Sequence, residues 1–340
     1  MSHIAIIGGG SWGTALAIAL ARGGQHSVRL WAYEAEVVQS IRQKRENTQF
    51  LPGFTLPDGV RATRDFAEAL DGAEIVLTVM PSHHARRVTS QMAPYLKPEM
   101  LFVSATKGIE DKSYHRITQV LSETIQQQCG FSPRIGALSG PSFAKEVAKG
   151  DPTAITFASC DAALAAQIQR EFSGPVLRIY TSEDMTGVEL GGALKNVIAI
   201  AAGVVEGLGF GHNTAAALIT RGLAEITRLA VACGARRETL SGLAGMGDLV
   251  LTCTGGLSRN RSVGEALGRG RKLPEIIAGM NGMVAEGVLT TDAALGLARS
   301  LLQPIEMPIT EQMHEVLHNG KSAQDAIREL MTRPGKYETA

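Results

Sequence analysis

The sequence predicts an α/β protein: a doubly wound parallel sheet followed by a second, all-helical domain. Three observations carry this. Apolar strand-like runs alternate with helical segments from the start to about residue 181, a glycine-rich turn joins the first such run to the first helix, and strand-like runs cease after Met185. At roughly 150 residues per domain, 340 residues suit two domains, each with its own core. We place them at 1–184 and 185–335, with a polar tail at 336–340 that is expected to fray.

The first strand is the apolar run at 3–7. Gly8-Gly9-Gly10-Ser11-Trp12-Gly13 follows, and a helix-length stretch with Leu16, Ala17, Ile18 and Leu20 starts at once, stopped by Gly23-Gly24. In this setting Gly8 turns the chain, Gly10 lets the backbone approach a pyrophosphate, and Gly13 lets helix and strand pack closely. A strand before and a helix after make this the fingerprint of a Rossmann-type dinucleotide site, with phosphates on the helix N-terminus.

Further strands are expected at 28–31, 74–80, 100–105, 135–138, 153–158 and 176–180, with helices at 85–96, 114–127 and 162–172 among them. Pro52-Gly53 and Pro57-Asp58-Gly59 mark a loop after the second strand that is free to move over a cofactor. From Met185 the chain is rich in Ala, Leu, Gly and Glu at helical spacing.

Thirty-three basic and 33 acidic residues balance, so no basic field is offered to nucleic acid or to a membrane surface. Cys129, Cys160, Cys233 and Cys253 form no C-x-x-C pair, which speaks against a zinc knuckle or disulfide framework and for a reducing, cytoplasmic setting. The first strand leaves no room for a signal peptide, and no uncharged apolar stretch is long enough to span a membrane; residues 193–205 come closest but contain Lys195.

Candidate chemistry lies where strands end, because doubly wound sheets bind ligands outside the carboxyl ends of their strands. Tyr33 ends the second strand region and is placed to stack on adenine or to cover the strand end. Glu34 comes late for a ribose acid and no arginine adjoins it, so NAD and NADP are not distinguished. Lys107 follows another strand and suits a phosphate or a polarised carbonyl. Ser142, in the run Ser139-Gly140-Pro141-Ser142, is placed as an N-cap or anion donor.

Lys195 stands among residues that otherwise read as buried helix. A charge there is costly unless paired or neutral, and burial beside a second cation lowers a lysine toward roughly 7 to 8, where it exchanges protons with a substrate hydroxyl. Asp248 is a candidate partner for it. Gly255-Gly256-Leu257-Ser258-Arg259-Asn260 then reads as a glycine-rich approach to a helix N-terminus, a natural phosphate clamp.

Two histidine motifs compete for attention. His83 and His84 are adjacent and point apart, with no third ligand near in sequence. His314-Glu315-Val316-Leu317-His318 matches the H-E-x-x-H of zinc proteases, but little chain remains beyond it for a third ligand and a cleft, so these histidines are expected to be solvated.

Taken together, the glycine loop with its tryptophan, Lys107-Gly108, Ser139-Gly140-Pro141-Ser142, Leu194-Lys195-Asn196 and the 248–260 segment closely resemble NAD(P)-dependent glycerol-3-phosphate dehydrogenases of the bacterial type. The resemblance runs from Ile4 to about residue 330. It implies Lys195 as catalytic acid/base, with Lys107, Gly140, Ser142, Asp248, Ser258, Arg259 and Asn260 holding a phosphorylated substrate. It implies Ser11, Trp12, Lys107, Ala144, Arg259, Val284 and Glu286 as contacts to NAD or NADP, with no metal, and a homodimer through the helical domain. A β-hydroxyacid or ketopantoate-type dehydrogenase shares the layout and the helix-borne lysine, and a non-catalytic NAD(P)H sensor shares the first domain. The Arg259-Asn260 clamp argues against the first and Lys195 against the second.

Overall fold

A computed structural model describes residues 2–280, 285–335, 337 and 338. Its main sheet has eight strands: β1 (Ser2–Ile7), β2 (His26–Trp31), β5 (Val60–Thr63), β6 (Ile75–Thr78), β7 (Leu101–Ser104), β8 (Arg134–Ser139), β9 (Thr153–Ala158) and β10 (Leu177–Ser182). Their order is β10-β9-β8-β7-β6-β1-β2-β5. Six of them, β5-β2-β1-β6-β7-β8, are parallel throughout, with Ile4 aligned to Val28 on one side and to Ile75 on the other. The direction of winding reverses between β1 and β6, which is where such sheets open a ligand crevice. Strands β6 and β7 are buried along their whole length, which is why they read as continuous apolar runs.

The structure corrects the expectation at four places. β9 runs antiparallel to β8, so β9 and β10 extend the parallel sheet in the opposite sense. The Pro- and Gly-rich stretch after β2 carries an antiparallel pair, β3 (Glu46–Asn47) and β4 (Leu51–Thr55), and leads to β5 at the sheet edge. The helix expected at 85–96 stops as Ala85–Met92 and tightens into a 3-10 turn at Ala93–Tyr95, where Pro94 has no N–H to give. The helix expected from 114 begins at Ile117, because Tyr114 adopts a positive φ of 57°.

Beyond β10 every regular element among the described residues is helical. The centre is Met185–Gly207, capped by Asp184 and surrounded by the helices His212–Ala232, Asp248–Thr254, Arg259–Gly268, Glu286–Ser300 and Pro308–His318. This central helix is long and apolar enough to cross a membrane by composition, yet is buried among its neighbours. Buried Glu189 on it accepts hydrogen bonds from Thr118 N at 2.8 Å and Thr118 Oγ1 at 2.6 Å and pairs with Arg116, tying the helices to the sheet layer.

Candidate active site

The turn after β1 is shaped by contacts that exclude side chains. Gly8 has φ +136°, and a Cβ there would lie 2.0 Å from the Val79 carbonyl oxygen; at Gly13 it would lie 1.9 Å from that of Gly8. Gly10, the N-cap of helix Ser11–Ala21, meets nothing within 4 Å. An open cradle above a helix N-terminus fits a dinucleotide pyrophosphate. Trp12 packs on the sheet core, and its buried Nε1 has no hydrogen-bond partner among the described residues.

Asn47, fully buried, was not singled out from sequence. It donates to the Gly9 carbonyl and to Thr14 Oγ1, both at 2.8 Å, while Ser11 Oγ donates to the Phe50 carbonyl at 2.6 Å. Arg45 donates to the carbonyls of Leu56 at 2.9 Å and Val60 at 3.1 Å. The 52–59 segment is thus tied down at Leu56 and flanked by tied carbonyls at Phe50 and Val60.

Tyr33 is 62 % exposed beyond β2, and the Arg87 guanidinium lies 6.0 Å from its ring centroid. His84 Nδ1 is 3.4 Å from Arg87, and burial together with the Arg87 charge pulls His84 below its ordinary pKa. An arginine absent beside Tyr33 in sequence thus lies near it in space, on the helix Ala85–Met92.

Lys195 is buried on the central helix, where its Nζ donates to the Asp248 carboxylate and, at 2.8 Å, to Thr252 Oγ1. Lys107, just past β7, donates to the second Asp248 oxygen at 2.6 Å and to the Gly140 carbonyl at 3.2 Å. One buried carboxylate stands between two lysines. Burial pulls Lys195 down to about 7, the Lys107 charge adds to this, and Asp248 opposes it. Thr252, one turn beyond Asp248, also donates to the Asp248 carbonyl at 2.6 Å and so holds the carboxylate's own turn.

Around this centre Gly140, the residue after β8, has φ +146°, a Cβ there falling 2.9 Å from Ile155 Cα. Ser142 is not an N-cap: Phe143 occupies that position of the short helix Ala144–Lys149, and Ser142 Oγ instead turns back to the Gly140 carbonyl at 2.9 Å. Ala144 opens this helix. The buried Ser139 hydroxyl, which faces the unsubstituted Gly192 a turn before Lys195, has no partner among the described residues.

Ser258 caps helix Arg259–Gly268, accepting from Arg261 N at 3.2 Å. Asn260 donates to Asn196 Oδ1 at 3.0 Å and accepts from Gly287 N at 2.9 Å, bracing three helices. Arg259 is exposed beside it and makes no hydrogen bond or ion pair among the described residues. Glu286 accepts from Ser82 N at 3.1 Å and Ser82 Oγ at 2.7 Å, and burial pushes its carboxyl up. Val284 lies outside the described residues.

Lys195's helix and Arg259's helix touch backbone to backbone. A Cβ at Gly203 would lie 1.9 Å from the Arg261 carbonyl oxygen, and one at Gly264 would lie 1.9 Å from that of Ile200. The buried lysine and the clamp at the helix N-terminus are therefore held as one block.

Residues 3–165 match the family described as NAD-dependent glycerol-3-phosphate dehydrogenase N-terminus, and residues 184–328 match its C-terminus. The chain belongs to the NAD-dependent glycerol-3-phosphate dehydrogenase family. A glycerol-3-phosphate dehydrogenase [NAD(P)+] of Koribacter versatilis is 65 % identical over 338 residues, 99 % of each chain. The crystal structure of glycerol-3-phosphate dehydrogenase from Coxiella burnetii superposes with a TM-score of 0.91 at 41 % identity, covering 98 % of this chain and 99 % of that one. A ketopantoate reductase from Ralstonia eutropha shares the fold alone, with a TM-score of 0.60 at 17 % identity over 96 % and 99 % of the two chains. Within this glycerol-3-phosphate dehydrogenase, the groups to which sequence reasoning gave no role of their own are Asn47, Arg87 and Thr252, together with Ser139, quoted only within a motif. None interrupts an apolar pattern as Lys195 does.

Proposed function

We propose that this enzyme interconverts dihydroxyacetone phosphate and sn-glycerol 3-phosphate with NADH or NADPH. The observation that carries the reading is a buried lysine, brought to about 7 and held by Asp248, built into one block with the Arg259-Asn260 helix N-terminus. In this reading the substrate phosphate meets Arg259, the remaining amide N–H of Asn260 and the backbone donors of the helix that Ser258 caps. Lys107, Gly140 and Ser142 line the opposite wall, and the ketone carbonyl faces Lys195.

Gly8, Gly10, Ser11, Trp12 and Gly13 would hold the pyrophosphate side of the dinucleotide and Tyr33 its adenosine end, with Lys107, Ala144, Val284, Glu286 and Arg259 around the remainder. Bound there, the nicotinamide supplies or accepts the hydride. In reduction, Lys195 gives its proton to the carbonyl oxygen as C2 gains a hydride, so the C=O bond becomes CH–OH. In oxidation, neutral Lys195 takes the hydroxyl proton as C2 loses the hydride. Asp248 and Thr252 keep the amine aimed, and the Lys107 cation stabilises negative charge developing on the oxygen.

The domain division at 184/185, a cytoplasmic location, supply of glycerol phosphate for phospholipid synthesis and a homodimer through the helical domain belong to the same reading. Exposed Met246, Val250 and Leu257 on that domain support the last.

The test is the loss of reduced-nicotinamide absorbance with dihydroxyacetone phosphate, run beside unphosphorylated dihydroxyacetone and with both cofactors. Rapid oxidation with the phosphorylated ketone alone is expected. Lys195→Ala should lose at least about a hundredfold in turnover while still binding cofactor by fluorescence titration; near-normal turnover in that variant would reject the lysine as acid/base.

A further inference from the structure

The H-E-x-x-H segment is not absorbed by the reaction. Its two histidines lie one turn apart on helix Pro308–His318, their rings 5.2 Å between centroids. Nor are they simply solvated, as the sequence suggested. His314 Nδ1 lies 2.8 Å from Asp292 Oδ1, and His318 Nε2 lies 3.4 Å from Asp292 Oδ2. Asp292 comes from helix Glu286–Ser300, upstream of the motif, where a search of the remaining chain could not find it.

We propose that Asp292, His314 and His318 bind one divalent transition-metal ion, with Zn2+ the best match. Two imidazole nitrogens and a carboxylate oxygen form the donor set that such ions favour, whereas Mg2+ and Ca2+ seek oxygen alone. The spacing agrees. Zinc bonds of about 2.0–2.1 Å put tetrahedral ligands roughly 3.3 Å apart; the two imidazole nitrogens lie 2.8 and 3.4 Å from the two different oxygens of the one Asp292 carboxylate, so small side-chain shifts bring one oxygen and both nitrogens to that spacing. All three ligand atoms lie within 4.8 Å of one another, and all three residues are reachable from solvent, which supplies the fourth ligand.

The scaffold beneath the site is fixed before any ion arrives. Buried Glu225 accepts from Ile309 N and Thr310 N, both at 2.9 Å, and from Thr310 Oγ1 at 2.7 Å, so it caps the helix and sets its rotation. Ile309, Met313, Val316 and Leu317 are buried on the opposite side. The ion replaces the hydrogen bond between His314 and Asp292 and draws in His318, joining two helices. A protease site is excluded, because Glu315 accepts from Asn319 Nδ2 at 3.0 Å at the helix end instead of sharing the histidine site. Asp292 lies six residues beyond Glu286 on one helix, so the ion braces the element that carries Glu286 without entering the hydride chemistry.

The test uses the full-length protein stripped with EDTA, titrated with ZnCl2 by calorimetry and followed by thermal unfolding. Wild type is expected to bind one Zn2+ per chain with a rise in Tm. The His314→Ala/His318→Ala variant should lose both effects while keeping the metal-free Tm within a few degrees and the rate of dihydroxyacetone phosphate reduction. Co2+ bound to wild type should give a visible spectrum without a thiolate charge-transfer band. No saturable Zn2+ binding by wild type, undiminished binding by the double variant, or a thiolate band pointing to the exposed Cys160 would each overturn the proposal. Because binding and Tm are read without substrate, failure here leaves the proposed reaction untouched.

Discussion

In the proposed reaction Lys195 can donate and accept a proton near neutral pH because three influences meet on its amine. Burial strips it of water, Lys107 repels its charge and Asp248 attracts it; the first prevails, leaving it near 7. The direction of the pH response follows. Reduction needs the protonated amine and should fall as pH rises through about 7, whereas oxidation of glycerol phosphate needs the neutral amine and should rise over the same window. Profiles of kcat in both directions check this, and parallel profiles would remove Lys195 from the proton transfer. The lysine was legible in the sequence as a charge in an apolar helix. Its controllers were less so: Asp248, a candidate partner by motif, lies 53 residues away, and the Lys107 contact to that carboxylate spans 141. Separations of that size leave no periodic trace.

At the scale of elements, the glycine turn and β1, β6 and β7 could be read directly, since strands buried on both faces show as unbroken apolar runs. The hairpin of β3 and β4 could not, because its Pro52 and Gly53 are the residues that signal a loop. The antiparallel sense of β9 was also hidden: strand direction does not alter the alternation of side chains. Asn47 in the hairpin holds the Gly9 carbonyl and Thr14, so the cofactor turn depends on an element outside its own motif. Asn47→Ala should cost about 1–3 kcal/mol of stability by leaving buried groups unpaired and should raise the KM for the cofactor more than that for the ketone. Denaturant unfolding and initial-rate kinetics measure the two effects. A variant of unchanged stability would mean that the turn holds itself.

Across the whole molecule, the helical part and the sheet are bound by polar ties rather than by apolar contact alone. Lys107 reaches Asp248, Ser82 reaches Glu286, and Arg116 with Thr118 reaches Glu189. Arg116→Ala leaves Glu189 buried with only Thr118 for company and should cost roughly 3 kcal/mol, visible as a lower Tm, with cofactor affinity little changed. A large loss of cofactor affinity at unchanged Tm would assign that pair to the crevice instead.

The backbone contact of Gly203 and Gly264 has a further consequence. Where the helices meet backbone to backbone at these two glycines, the span from the amine of Lys195 to the start of Arg259's helix is set by main chain rather than by adjustable side chains. In the proposed reaction that span would act as a gauge of carbon-chain length. A ketone one carbon farther from its phosphate would reach the clamp or the amine, but not both, and the enzyme would reject it by measure rather than by the chemistry of its functional groups.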